Sequence, residues 1–191
     1  MRTAREDWFA GHLDLDPDRL VVLAETGATP SLARRSGRAP RGERCRIALP
    51  DGHGTTITVI AALRTSGLSA TALLDGPMTG ERFRASGTET LVPTVRRGDT
   101  VILDNLGAHK VTGVREAMEA VGARLLDLPP DSPDFNPIER AFAKLKALLR
   151  SAAARTVSEL WAAIQRAFVA FRPAECRNYL TAAGYDAYDP T

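Results

Sequence analysis

The second half of the chain alternates short apolar runs with amphipathic ones, and this order constrains the fold more than any other feature. Residues 100–104 and 123–128 have the uninterrupted apolar character of buried strands. Residues 110–121 and 136–150 carry apolar side chains at helical spacing. Because strands that alternate with helices pair in parallel through right-handed crossovers, this half predicts an α/β sheet.

The first half contains apolar runs that favour antiparallel pairing. Residues 19–25 predict a buried strand. Residues 44–50 and 55–63 flank Asp51-Gly52-His53-Gly54, which is a strong hairpin signal, and residues 68–74 continue this meander. The complete pattern predicts a mixed five-stranded sheet of three antiparallel strands followed by two parallel ones, with helices on both faces. This α/β layout matches the ribonuclease H-like fold.

Three further helices are indicated outside this alternation. Residues 80–95 have helical content, although Ser86-Gly87-Thr88 weakens the middle of that segment. Thr156-Val157-Ser158-Glu159 is a capping box that opens a helix, and Pro173 starts a last short one. No internal repeat or low-complexity tract interrupts this order.

Composition limits the class of protein. The chain has 191 residues, of which 44% are hydrophobic and 25% are charged, so one soluble globular domain with a substantial core is expected. Its apolar runs are far shorter than a membrane span, and the charged first segment does not resemble a signal peptide. Cys45 and Cys176 have no ligand or redox spacing, which favours reduced thiols in a cytoplasmic protein.

A block of arginines makes the charge distribution uneven. Within thirteen positions, Glu43 is the only acidic residue among six arginines, which are Arg34, Arg35, Arg38, Arg41, Arg44 and Arg46. Such a block usually forms a solvated loop. Guanidinium groups also bind phosphate oxygens in pairs, as contact with a nucleic-acid backbone requires. Charge alone leaves both interpretations open, because the net charge of the chain is only +2.

Two acidic residues stand where a ligand site would form. Asp104 ends the first parallel strand, and Glu139 lies in the first turn of the helix that follows a proline-rich turn. Open α/β sheets bind ligands beyond the carboxyl ends of their strands, and Mg²⁺ prefers carboxylates. Each acid also has a structural interpretation. Asp104 could cap a helix or turn, and Glu139 could bond back to an Asn136 N-cap.

Four motifs give the chain a more specific character. They are Leu23-Ala24-Glu25-Thr26-Gly27, Gly37-Arg38-Ala39-Pro40-Arg41-Gly42, Leu103-Asp104-Asn105-Leu106-Gly107-Ala108-His109-Lys110 and Leu128-Pro129-Pro130-Asp131-Ser132-Pro133-Asp134-Phe135-Asn136-Pro137-Ile138-Glu139. These motifs resemble the DDE transposases, in particular the bacterial insertion-sequence branch of the mariner-like superfamily. The similarity extends from residue 20 to residue 185. In that family the second and third acidic residues fall on Asp104 and Glu139, which are 35 positions apart (139 − 104), as in that branch.

The resemblance implies a reaction, a cofactor and a partner. DDE transposases hydrolyse phosphodiester bonds at the ends of their element and then attack target DNA with the freed 3′-hydroxyl, using Mg²⁺ or Mn²⁺. Asp104 and Glu139 would bind the metal and act in catalysis. DNA, as element ends and target, would be contacted by Arg34, Arg35, Arg38, Arg41, Asn105, His109 and Lys110. His109 could instead only cap a helix or contact the backbone.

The first strand departs from the family pattern. DDE transposases have Asp-Glu-Thr where this chain has Ala24-Glu25-Thr26, so a methyl group replaces the first metal ligand. Glu25 is a poor substitute, because successive strand side chains point to opposite faces. Metal binding is therefore expected to be weakened and activity impaired. The alternative is a catalytically inactive DNA-binding or assembly partner. A ribonuclease H-like resolvase or other nuclease fits the motif before Glu139 less well.

The resemblance also divides the chain. Residues 20–185 correspond to the DDE transposase catalytic domain, residues 1–19 to a linker or the stub of a missing N-terminal region, and residues 186–191 to a tail. The family carries a helix-turn-helix region that recognises element ends, and such elements can be split across reading frames. A separate helix-turn-helix polypeptide and a homodimer are therefore further partners that the resemblance allows, whereas a membrane is not.

Overall fold

The computed structural model describes residues 2–11, 15–33, 37–46, 56–104 and 113–186 of the chain. Their strands are, in chain order, β1 (Leu20–Ala28), β2 (Ile57–Arg64), β3 (Gly67–Asp75), β4 (Thr100–Leu103) and β5 (Arg124–Asp127). Their α-helices are α1 (Arg2–Gly11), α2 (Gly80–Ser86), α3 (Val114–Ala120), α4 (Ile138–Ala152), α5 (Val157–Phe168) and α6 (Pro173–Thr181). No helix within these ranges is long and apolar enough to cross a membrane.

The strands form one mixed sheet in the order β3-β2-β1-β4-β5. β1 pairs antiparallel with β2, and β2 with β3, whereas β4 runs parallel to β1 and β5 runs parallel to β4. The predicted ribonuclease H-like arrangement of three antiparallel strands and two parallel ones is confirmed. Because β1 and β4 are parallel neighbours, their carboxyl ends meet at the edge of the sheet where a ligand site is expected.

The antiparallel group is built from different residues than the hairpin pattern predicts. Residues 44–46 are exposed and form no strand, so the strand predicted over residues 44–50 is wrong in its described part. Residues 47–55, which include the predicted hairpin turn, lie outside the described residues. β1 takes that place in the sheet by pairing with β2 along most of its length. β1 is almost entirely buried, whereas Arg44 and Arg46 would bring charge into the sheet.

The helix predicted over residues 80–95 changes its winding at Gly87. α2 ends at Ser86, and the chain continues through a π-helical turn, Gly87–Leu91, followed by a 3₁₀ turn. A Cβ atom at Gly87 would come within 3.0 Å of the Val114 side chain of α3. The glycine therefore allows α3 to approach closely, and the change in winding occurs at the weak point that the sequence indicates.

Side chains on the two faces of the sheet pack into two separate cores. On one face, Leu20, Val22 and Ala24 of β1 pack with buried residues of α4, α5 and α6. On the other face, Val21 and Leu23 pack with α2 and α3. The predicted apolar face of α4 is confirmed, because its four members are buried: Ile138, Phe142, Leu145 and Leu149. The sheet thus has helices on both faces, as predicted.

Thr156→Ala is expected to lower the free energy of unfolding by about 1 kcal/mol. The predicted capping box at the start of α5 is present. The Thr156 hydroxyl accepts a hydrogen bond from the Glu159 amide at 3.2 Å, and the Glu159 carboxylate accepts one from the Thr156 amide at 3.2 Å. Unfolding in urea measures the loss. Ser158→Ala, in the same helical turn, is the control and should change stability by less than about 0.5 kcal/mol. Equal losses in both variants would contradict the capping role.

Candidate active site

A cleft of about 260 Å³ opens beyond the carboxyl ends of β4 and β5. Asp104 and Glu139, the two acids that the sequence predicts as metal ligands, both line it. The other described lining residues belong to the segment between β5 and α4: Leu128, Pro129, Pro130, Asp131, Ser132, Pro133 and Asn136. The fold therefore brings the two distant acids together at the edge where open α/β sheets bind ligands.

Strand β4 positions Asp104. The strand residues before it are buried, and Asp104 follows them as a half-buried residue. Hydrogen bonding continues at this end of the strand, since the Leu128 amide donates to the Leu103 carbonyl at 2.8 Å. Because side chains alternate along a strand, Asp104 lies on the same face as Ile102, which is the face that α4 covers.

The proline-rich turn and the start of α4 position Glu139. A 3₁₀ turn over Pro133–Phe135 ends where the Asn136 amide donates to the Pro133 carbonyl at 3.1 Å. α4 then begins at Ile138, with Pro137 as its N-cap residue and without a side-chain capping bond. The capping alternative for Glu139 is therefore wrong, because Asn136 closes the preceding turn instead. Glu139 is the second residue of α4 and lines the cleft.

The surroundings of Glu139 in the cleft disfavour its charged form. Burial against the walls of the cleft raises the pKa of the Glu139 carboxyl, although solvent still reaches the side chain. The positive charge of Lys146, further along α4, lowers this pKa, and the negative charge of Asp104 raises it. Two carboxylates that share a cleft disfavour each other's charged form. A bound cation would offset that repulsion, which is the electrostatic condition for a metal site.

The donor set suits a divalent cation, but it is smaller than a pair of ions needs. Asp104, Glu139 and the exposed Asp131 line the cleft with their carboxylates, and so does Asn136, whose buried Oδ1 accepts no hydrogen bond from the described residues. Carboxylate and amide oxygens are ligands for hard divalent ions. In the described part of the chain, no group of three or more acidic, histidine or cysteine side chains could hold a metal ion. These residues fit one ion better than the pair, about 3.5–4 Å apart, that phosphodiester chemistry commonly uses.

Ala24 is the residue at which the resemblance predicts that the first acidic ligand is missing. Leu23 pairs with Leu103 in the parallel β1–β4 register, so Ala24 is the neighbour of Asp104 and lies on the same face of the sheet. The alanine is fully buried, in the core that α4 covers. Glu25 is half-buried and, as the next residue of the strand, lies on the opposite face. No residue of β1 lines the cleft.

The predicted DNA-contacting residues are only partly within the described chain. Arg38 and Arg41 are exposed, in a segment that forms neither helix nor strand. The others lie outside the described residues: Arg34, Arg35, Asn105, His109 and Lys110. The structure thus shows solvent-accessible positive charge at two of the seven positions, and the contact of all seven with DNA stays a prediction.

Two basic residues near the cleft are missed by the sequence interpretation. Lys146 follows Glu139 by seven residues, which places both on the same face of a helix. This spacing could have indicated that Lys146 lies near Glu139. Arg5 of α1 hydrogen-bonds to Asp134, in the turn before Glu139, at 2.6 and 3.0 Å. Nothing local predicts this second contact, because its partners are 129 positions apart in the chain.

Solved structures of the Mos1 mariner transposase have this fold. The Mos1 paired end complex with Mn matches with a TM-score of 0.70 at 17% identity, over 96% of this chain and 58% of that chain. The Mos1 strand transfer complex matches with a TM-score of 0.66 at 16% identity, over 98% and 61%. The Mos1 catalytic domain matches with a TM-score of 0.62 at 14% identity, over 96% and 87%. The chain thus spans about three fifths of Mos1 in the two complexes and most of its catalytic domain.

A comparison with curated proteins gives no match. The sequence profile of one family, described as DDE superfamily endonuclease, matches residues 19–161. That region is well over half of the chain, and it includes both Asp104 and Glu139. The chain therefore belongs to the DDE superfamily endonucleases, and it has the ribonuclease H-like fold of the Mos1 catalytic domain.

Proposed function

We propose that this chain is the catalytic domain of an insertion-sequence transposase, which cleaves DNA at the ends of its element and joins those ends to target DNA. One observation carries the proposal: Asp104 and Glu139 line a single cleft at the ligand-binding edge of the sheet. Membership of the DDE superfamily endonucleases supports the same chemistry. Insertion sequences are bacterial elements, so the proposed location is the cytoplasm.

Asp104 and Glu139 would hold Mg²⁺ or Mn²⁺ through their carboxylate oxygens. When bound, the metal activates the attacking oxygen and neutralises the leaving one. The two acids must be deprotonated to act as ligands. Because burial and the charge of Asp104 raise the pKa of Glu139, metal binding should require a higher pH than an ordinary glutamate would.

Exposed arginines would supply the contact with DNA. Arg38 and Arg41 are accessible to a phosphate backbone. The remaining proposed contacts are Arg34, Arg35, Asn105, His109 and Lys110. Guanidinium groups displace counterions from DNA, so binding carried by these residues would weaken as the salt concentration rises.

A second candidate function follows from Ala24. Without the first acidic ligand, metal binding is expected to be weakened and catalysis impaired. The chain would then act as a non-catalytic DNA-binding or assembly partner, together with a separate helix-turn-helix polypeptide or a second copy of itself. The full burial of the Ala24 methyl group supports this candidate, because an alanine there avoids the cost of burying an unpaired aspartate.

Mn²⁺ binding tests the proposed pair of ligands. Asp104→Asn and Glu139→Gln are each expected to weaken Mn²⁺ affinity at least about tenfold, since each removes a charged ligand. Electron paramagnetic resonance of free Mn²⁺ measures the affinity. Asp131→Asn is the matched control, because Asp131 is an exposed acid lining the same cleft and its φ of 53° suits asparagine. Native affinity in Asp104→Asn and Glu139→Gln would show that the assignment is wrong.

A further inference from the structure

We infer that Arg5 is a positioning residue for Glu139: it holds the turn formed by residues 131–136 in the shape that directs the start of α4 into the cleft. The inference rests on the proposed function, because it concerns one of the same two carboxylates. It also gives a role to α1, which the sequence predicts to lie in a linker.

Arg5 contacts most of the turn before α4. Its Nη1 and Nη2 donate to Asp134 Oδ1 and Oδ2 at 3.0 and 2.6 Å, which is the bidentate geometry of an arginine–carboxylate pair. Nη1 also donates to the Ser132 hydroxyl at 2.8 Å and to the Asp131 carbonyl at 3.3 Å. The guanidinium carbon lies 4.6 Å from the centre of the Phe135 ring, within the range of a cation–π contact. The Arg5 side chain thus contacts four of the six residues of the turn and restrains their relative positions.

Trp8 and Tyr185 fix α1 and the turn to the core. Trp8 is 8% exposed and Tyr185 is 3% exposed, and both belong to the core that includes α4. The Tyr185 hydroxyl donates a hydrogen bond to the Phe135 carbonyl at 2.8 Å. Burial raises the pKa of this phenol to about 12, while a hydrogen bond with Trp8 lowers it, so the donor is protonated at neutral pH. Arg5, one helical turn before Trp8, therefore reaches the turn from an anchored helix.

The turn depends on outside contacts for two reasons. Asp131 has a φ of 53°, a left-handed conformation that aspartate tolerates better than most residues but that still costs energy relative to glycine. α4 begins at Pro137 without a side-chain cap, so no bond of that kind fixes the direction in which the chain enters the helix. The contacts from Arg5 supply a restraint at this point. Glu139 follows the N-cap by only two residues, so its position depends on the direction in which the chain enters α4.

Asp134 serves as the partner of Arg5. Their hydrogen bond lowers the pKa of the Asp134 carboxyl and raises the pKa of the Arg5 guanidinium, so both groups are charged at neutral pH. The two side chains are 35% and 55% exposed, and ion pairs with this exposure contribute little to global stability. The main effect expected from Arg5 is therefore local, on the geometry of the turn.

Hydrogen exchange measured by mass spectrometry on the full chain tests this inference. In Arg5→Ala, the amides of residues 131–139 should exchange about fivefold faster, while those of β2 and α6 keep their native rates. Arg5→Lys keeps the charge but not the bidentate pair, so its rate should be intermediate. Arg115→Ala is the matched control. It removes the ion pair between Arg115 and Asp127, which are 2.9 Å apart and similarly exposed. The exchange rates of residues 131–139 should stay unchanged in this variant.

A Mn²⁺ titration of the same variants separates positioning from a purely structural role. Arg5→Ala should weaken Mn²⁺ affinity by about fivefold, because the turn that directs Glu139 is loosened. Arg5→Lys should recover part of that loss. Arg115→Ala should bind Mn²⁺ as the native chain does.

Three results would overturn the inference. They are native exchange rates at residues 131–139 of Arg5→Ala, exchange that is faster by the same factor in every element, and faster exchange in the turn with unchanged Mn²⁺ affinity. Failure of the native chain to bind Mn²⁺ would instead contradict the proposed function. The two failures are distinguishable, because the exchange measurement contains no metal and still shows whether Arg5 holds the turn.

Discussion

Ala24→Asp is expected to raise Mn²⁺ affinity at least about tenfold and to produce or increase metal-dependent cleavage of element-end DNA. Ala24 is the neighbour of Asp104 in the β1–β4 register and lies on the same face of the sheet. A carboxylate there would add a third acid to Asp104 and Glu139, and pairs of metal ions in phosphodiester chemistry need such a set. A labelled duplex incubated with Mg²⁺ or Mn²⁺ measures cleavage by the native chain and by the variant.

The same variant should lose stability without metal and recover most of that loss when metal binds. Position 24 is fully buried, so an ionised side chain beside Asp104 is expected to lower the free energy of unfolding by roughly 3 kcal/mol in EDTA. Mn²⁺ at about 100 times its Kd would restore about 2.7 kcal/mol by mass action. Thermal unfolding in EDTA and in Mn²⁺ measures both changes. The native chain, with fewer ligands, should respond less to the metal.

Two control variants test whether the effect of Ala24→Asp depends on the added charge and on the face of β1 that carries it. Ala24→Asn introduces a side chain of similar size without the charge, so it should lower stability and gain no dependence on metal. Glu25→Gln changes the acid on the opposite face and should leave Mn²⁺ affinity at its native value. Cleavage by Ala24→Asp alone would support a native chain that acts as a DNA-binding or assembly partner. Equal cleavage by both chains would show that position 24 does not matter.

Local patterns in the sequence predict most of the elements that carry the site. The apolar run before Asp104 is β4, and the helical spacing after Glu139 is the buried face of α4. Both depend on side chains only a few positions apart. Alternation along β1 also predicts that Ala24 and Glu25 lie on opposite faces. The missing ligand itself is recognised only from the resemblance to the DDE transposases, which have aspartate where this chain has Ala24.

Other parts of the site depend on competition that the sequence does not show. Asn136 has a side chain suited to an N-cap, yet its backbone amide closes the preceding 3₁₀ turn. Pro137 takes the N-cap position instead. Residues 44–50 have the pattern of a strand, yet β1 forms the antiparallel pair with β2. The contact of Arg5 with Asp134 joins residues 129 positions apart, so only the folded chain reveals it.

A buried ion pair secures the start of the strand whose other end leads to the cleft. Arg64 Nη2, at the end of β2, donates to Asp99 Oδ2 at 2.6 Å and to the Thr94 carbonyl at 2.9 Å. The same Asp99 oxygen accepts a hydrogen bond from the Arg96 amide at 2.7 Å. The Asp99 carbonyl accepts one from the Arg124 amide at 2.9 Å, where the pairing of β4 with β5 begins. Asp99 is only 4% exposed.

Asp99→Ala is expected to lower the free energy of unfolding by about 3–5 kcal/mol, because it leaves the Arg64 guanidinium buried without its carboxylate. For a domain of this size, that loss corresponds to a fall in Tm of roughly 10 °C. Unfolding in urea and thermal unfolding followed by circular dichroism measure the two quantities. Asp99→Asn, which keeps an oxygen acceptor of the same shape, should lose less than Asp99→Ala.

Asp127→Ala is the matched control for this prediction. It removes an arginine–aspartate pair at 2.9 Å whose side chains are 47% and 40% exposed, and it should cost less than about 1 kcal/mol. Comparable losses in Asp99→Ala and Asp127→Ala would show that burial does not set the strength of these pairs. A large loss at Asp99 alone would mean that the two ends of β4 contribute differently to the protein. The buried ion pair before the strand would stabilise the fold, whereas Asp104 after the strand would act in the cleft as a partly desolvated acid.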